Sequence, residues 1–293
     1  MRRRAVPPPS PRARICRLAL LAASLAAGCT SPAAVTRYTK SATLVTAKLP
    51  DVTDALSRSC RGAASYRLRR ASNDWYGDDS LRTACADRES ALRNVTRAGR
   101  VLSAYFAALE SLAENKLTDY DAKVDALGSA VGEAADVDKR RVKAIEELAK
   151  FASSRTTDGY RRTKLRDAIA AQNDNVQAVT GALHEILDRD LAQLLANDVA
   201  AQTSFYRAAL TESSRADPLT AILVRDAYDE RAGQLAERSA AVRSLGQALL
   251  TVGRGHQALY DARNHLGGKK LLAAIVSNAR ELDVAIARVN KAF

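Results

Sequence analysis

Proline, glycine and aromatic residues are all scarce here: 293 residues carry 7 Pro, 14 Gly and only 5% aromatics. Pro7, Pro8, Pro9, Pro11 and Pro32 all lie near the start, which leaves the body only Pro50 and Pro218. With so few chain breakers and an abundance of Ala, Leu, Arg, Asp and Glu, the chain has the makeup of long helices. Strands are not indicated, because no stretch alternates polar and apolar residues, and no repeat of 20–50 residues is visible. Histidine is equally short. Three copies are too few for a rich catalytic or metal centre.

Long apolar runs are missing as well. The longest, Leu18 to Ala27, is too short to span a bilayer as a mature helix. Arg12, Arg14 and Arg17 precede it, and the small residues Ala26, Ala27 and Gly28 close it before Cys29. This order of basic, apolar and small segments is that of a secretory leader. With the cysteine directly after the small residues, it resembles a bacterial lipoprotein signal. The resemblance covers residues 1–29 only and brings its own expectations. Cleavage would fall before Cys29, whose thiol and new amine would be acylated, anchoring the protein in a membrane. Thr30 stands where an aspartate would retain an enterobacterial lipoprotein at the inner membrane. The expected address is therefore the outer membrane, facing the periplasm.

The leader holds six arginines and no acid, so without it the formal charge falls from +12 to +6. That residue of charge suits an anionic surface but is mild for a nucleic-acid binder, and none is expected as partner. The leader also removes Cys16. With Cys29 committed to lipid, Cys60 and Cys85 are left as an even pair in an oxidising compartment.

Helical periodicity runs along nearly the whole mature chain. Val45, Leu49, Val52, Leu56, Cys60, Ala63 and Tyr66 recur at steps of three and four, with Pro50 kinking the helix or restarting it at Asp51. A polar cluster at 72–79 predicts a turn. A second stripe follows: Ala84, Ala91, Val95, Ala98, Leu102, Tyr105, Leu109 and Leu112. The midpoint of Cys60 and Cys85, at 72.5, falls at the leading edge of that turn, so an antiparallel hairpin brings them face to face. The expected disulfide closes a loop of about 25 residues and stabilises by roughly 3 kcal/mol. Neither cysteine is in a Cys-x-x-Cys motif, which argues against a redox role.

Further helices are predicted from Thr118 to Ala152, as a short piece ending near Ala171, and from Asn173–Asn175 to Ser213. A connection is expected at 153–163. Another helix opens at Asp217-Pro218 and continues to Leu266, before a break at Gly267-Gly268 and a last helix from Lys270 to Asn290. The fold class expected is all-α. It is an elongated antiparallel bundle of about five to seven mostly long helices with one internal disulfide. Residues 1–28 form the leader, 29–36 a lipidated tether, and 37–293 a single bundle domain.

Chemistry-bearing motifs are thin. His184-Glu185 starts like a zinc-protease motif, but Asp188 stands where the second histidine belongs. His256 falls on the heptad line Leu235, Val242, Leu249, and is expected as a hydrogen-bonded core or interface residue. Ala232, Ser239, Gly246 and Gly253 recur every seven residues and predict a tight helix–helix seam. No nucleophile elbow surrounds any serine. No catalytic, cofactor-binding or metal-ligating residue is assigned, and no cofactor is expected. Trp75 and Tyr76, in the turn at one tip, and Arg161 and Arg162, in the densest basic group, are the candidates for partner contact. The function expected is that of a non-enzymatic envelope lipoprotein binding or scaffolding another envelope protein or a cell-wall component. The alternatives are a ligand-sensing bundle with a pocket near His256 or Tyr260, and, behind it, a hydrolase using His184 or His256.

Overall fold

The computed structural model describes residues 33–71, 78–114 and 161–293, together with Lys143 and Glu147. Among the described residues there are no strands. Helix α1 (Ala33–Thr46) is followed by α2 (Leu49–Ala71), α3 (Asp78–Glu114), α4 (Arg161–Glu185), a π-helical turn (Ile186–Leu191), α5 (Ala192–Ala216), α6 (Pro218–Asp261) and α7 (Lys269–Ala292). The predicted helix from Thr118 to Ala152 lies outside the described residues.

Cross-contacts fix the directions. Lys40 reaches Glu114, and Thr53 meets Thr96, so α3 runs antiparallel to α1 and α2. Asn173 with Gln257 and Tyr206 with Tyr228 set α6 antiparallel to α4 and α5. Thr251 with Glu281 and Glu237 with Lys291 do the same for α7 on α6. The result is an up-and-down bundle in which the 44-residue α6 spans roughly 66 Å.

One contiguous core runs along the bundle axis, with Tyr38, Tyr105, Phe106, Leu183, Leu187 and Leu249 among its buried side chains. The stripe predicted for α2 is buried as far as Ala63 and becomes half-buried at Tyr66. On α3 the register differs by one position at the start. Ala84 and Ala91 are exposed, and Cys85 and Leu92 take the inner face. Cys60 and Cys85 are bonded, with 6.1 Å between their Cα atoms.

Several boundaries differ from expectation; α4 already begins inside the connection expected at 153–163, and α5 runs on from Ser213 to Ala216. Residues 33–36, assigned to the tether, are already helical, and Ala34 and Val35 are buried in the core. The first break falls at Ala47-Lys48, and α2 restarts at Leu49, so that Pro50 occupies its first turn, where a missing N–H is harmless. The helix expected to stop near Ala171 does not stop. Gln172 and Asn173, at the expected break, are both buried at helix contacts, and α4 runs through them from Arg161. Finally, α6 ends at Asp261 rather than Leu266, because a succession of tight turns carries the chain from Ala262 to Gly268. Its start is as predicted: extended Asp217 accepts hydrogen bonds from Leu219 N and Thr220 N, and Pro218 follows it.

Candidate functional site

His256 makes two side-chain hydrogen bonds inside the core. It is fully buried on α6. Its Nε2 lies 2.7 Å from the Tyr105 hydroxyl on α3, and its Nδ1 lies 3.0 Å from Asn173 Oδ1 on α4. Asn173 Nδ2 donates to Gln257 Oε1 at 2.9 Å, which identifies Oδ1 as its acceptor atom. The imidazole therefore carries its proton on Nδ1 and accepts from Tyr105 through Nε2. Burial pushes the His256 pKa down from 6.5 to about 3, so the ring is neutral. Beside it, the Tyr38 hydroxyl donates to Val252 O at 2.9 Å, and burial raises the pKa of this phenol and of Tyr105. Four helices, α1, α3, α4 and α6, are tied together by these bonds. The core position predicted for His256 is where the structure puts it.

The small-residue seam is real at two of its four positions. A Cβ on Gly253 would stand 2.9 Å from Thr180 Oγ1, and one on Gly246 would stand 3.4 Å from His184 Nδ1. Ala232 and Ser239 are only half-buried. Gly255, outside the heptad line, is tighter still, for its Cβ would stand 2.5 Å from Tyr38 Cε2. Beside His256, where a pocket was one alternative expectation, the backbone of Gly255 packs closely against the Tyr38 ring. His184 and Asp188 do not act together: the histidine turns its Nδ1 inward, whereas Asp188, on the π-helical turn, is exposed. Among the described residues no three His, Cys, Asp or Glu side chains converge on a point.

A second polar knot lies towards the disulfide end. Asp198 on α5, 2% exposed, accepts from Arg88 Nη1 on α3 and from Ser59 Oγ on α2, each at 2.8 Å. Farther along, Tyr66, Phe205, Tyr206 and Tyr228 stack in series across α2, α5 and α6, with ring centroids 5.1–5.8 Å apart. Beyond this ladder the α5–α6 connection leaves Leu219, Ile222 and Leu223 exposed by 64%, 57% and 62%. Their spacing places them on one face of the first turns of α6. Ala71 and Asp78, the ends of α2 and α3, lie at this same end of the bundle.

The predicted contact residues fare differently. Cys29, Trp75 and Tyr76 lie outside the described residues. Arg161 and Arg162 open α4, and their side chains are outside the description as well. Of their basic group, Lys164 and Arg166 are exposed, and Arg166 pairs with Asp167. The exposed apolar stripe was missed in the sequence, although Leu219, Ile222 and Leu223 lack partners at the following heptad step. No protein-family model matches the chain, and no curated protein or solved structure matches it.

Proposed function

We propose that the protein is a lipid-anchored, non-enzymatic component of the cell envelope that presents a helical surface to another envelope protein. The observation that carries this reading is the exposed Leu219, Ile222 and Leu223 stripe at the tip of the α5–α6 hairpin. Apolar side chains grouped in this way mark protein contact surfaces, whereas a cell-wall glycan is bound through polar groups. Position adds support. Tyr38, near the start of α1, meets α6 at Val252, 33 residues from Leu219 along one helix. The stripe therefore sits roughly 50 Å from the level at which the chain enters the bundle.

The lipoprotein-like leader supplies the anchor at Cys29, and the absence of aspartate at position 30 favours the outer membrane facing the periplasm. Four Cα steps separate Cys29 from Ala33, a reach of at most about 14 Å. Such an anchor would hold the entry end of the bundle near the bilayer and turn the hairpin tip away from it.

Crosslinking and pull-down from envelopes test the reading. The native protein should recover a stoichiometric protein partner, and Leu219→Asp/Ile222→Asp should lose it while keeping the helical signal and melting temperature. Equal recovery by the double variant would reject the hairpin tip as the contact. Radiolabelled palmitate failing to enter the native protein, or entering Cys29→Ala equally, would reject the anchor.

A further inference from the structure

A groove of about 450 Å³ lies between α2 and α3, on the flank of the bundle and apart from both the hairpin tip and the His256 network. Four arginines line it. Arg61 comes from α2 and faces Glu89 at 3.5 Å, and Glu89 also accepts from Ser57 Oγ, so this pair is internally balanced. Arg93, Arg97 and Arg100 come from α3 at steps of four and three, which sets three guanidiniums in one row over about 10 Å. Against them the described residues of the groove supply a single further acid, Asp54. Among the described residues, neither Arg93 nor Arg100 meets a carboxylate, whereas Arg88, one turn before the groove, is committed to Asp198.

Arg93 and Arg100 are like charges two turns apart on one helix face, and a bound anion would offset their repulsion. The floor is polar where the Thr53 and Thr96 hydroxyls share a hydrogen bond of 2.7 Å. Guanidinium forks match the oxygens of a phosphate two at a time, and two such forks on one groove suit an anion of more than one charge. The volume is that of a small-molecule site. We propose that the α2–α3 groove is a binding site for a phosphate-bearing ligand, held by Arg93 and Arg100, with Arg97 between them. Some 20 residues of α1 and α2 separate Ala33 from Thr53, roughly 30 Å of helix. For a bundle standing on its entry end, that distance favours a soluble phosphate ester over a phospholipid headgroup.

Calorimetric titration of the purified protein with inorganic pyrophosphate at low ionic strength tests the site. Saturable binding is expected, weakened about tenfold or more in Arg93→Gln/Arg100→Gln, since each charge-assisted contact contributes at least that factor. Arg280→Gln/Arg288→Gln on α7 removes the same charge from another exposed surface and should bind as the native protein does. No saturable binding to pyrophosphate or to vesicles, or equal weakening in both variants, would overturn the proposal. Sedimentation with phosphatidylglycerol and phosphatidylcholine vesicles separates the sources. Arginine-dependent binding to the anionic vesicles without binding to pyrophosphate would keep the phosphate site and move its ligand to a lipid. Envelope pull-down through the hairpin tip should be unchanged in Arg93→Gln/Arg100→Gln, so the two readings fail separately.

Discussion

A neutral histidine sealed in the core makes stability depend on pH. The unfolded chain binds a proton at His256 below pH 6.5, and the folded chain resists it down to about 3. In that interval the unfolded state binds more protons, so stability is full above 6.5 and falls as pH falls. The loss approaches about 1.4 kcal/mol per pH unit. Melting temperature should therefore decline from pH 6.5 towards 5, above the range where carboxylates dominate, and His256→Gln should flatten that slope. Equal slopes in both proteins would place the pH dependence elsewhere. Tyr38 imposes a different constraint at Gly255. A methyl group there collides with a buried ring whose hydroxyl is fixed on Val252 O, so neither partner yields cheaply. Gly255→Ala should cost about 1–3 kcal/mol in urea denaturation. Gly233→Ala, on the same helix with open space around it, should be neutral or gain up to about 1 kcal/mol.

Between α2 and α3 two constraints reinforce one another: the Cys60–Cys85 bond and, beside it, the carboxylate of Asp198 held by Arg88 and Ser59. Opening the disulfide with reductant, or by Cys85→Ser, should cost roughly 3 kcal/mol. Asp198→Ala should cost a similar amount, about 3–5 kcal/mol, because it strands a largely buried guanidinium. Denaturation midpoints read both, and an unchanged midpoint in Asp198→Ala would show Arg88 escaping to solvent. At this scale the sequence was most readable where a signal is local. Asp217-Pro218 marked a helix start, the cysteines on either side of the turn marked a hairpin, and apolar spacing marked the inner faces. Legibility failed where polar residues face inward. Gln172-Asn173-Asp174-Asn175 has the composition of a turn, and only contact with His256 and Gln257 on α6 explains why it remains helical. The arginine row of the groove was present in sequence as spacing alone. That no carboxylate from α2 neutralises Arg93 or Arg100 is a tertiary fact.

In the molecule as a whole, the chain is built into the core from the first described turn of α1. Val35, Tyr38, Ala42 and Val45 are buried at 2% exposure or less, packed against α3, α6 and α7. A flexible tether through residue 36 would have allowed the bundle to move independently of its anchor. With α1 in the core, a pull on the N-terminal end acts on the hydrogen bond from Tyr38 to Val252 and on the aromatic contacts with Phe106 and His256. Losing residues 33–46 should therefore remove more than a leash. Those four side chains and the cavities they leave represent at least about 8 kcal/mol, comparable to the whole margin of a typical domain. Deletion of residues 33–46 is expected to leave a protein that is degraded by dilute protease and shows no cooperative melting. A start at residue 33 should melt as the longer chain does. If the chain lacking α1 melted cooperatively with only a small downward shift, α1 would be an appendage, and anchor and body would be mechanically separate.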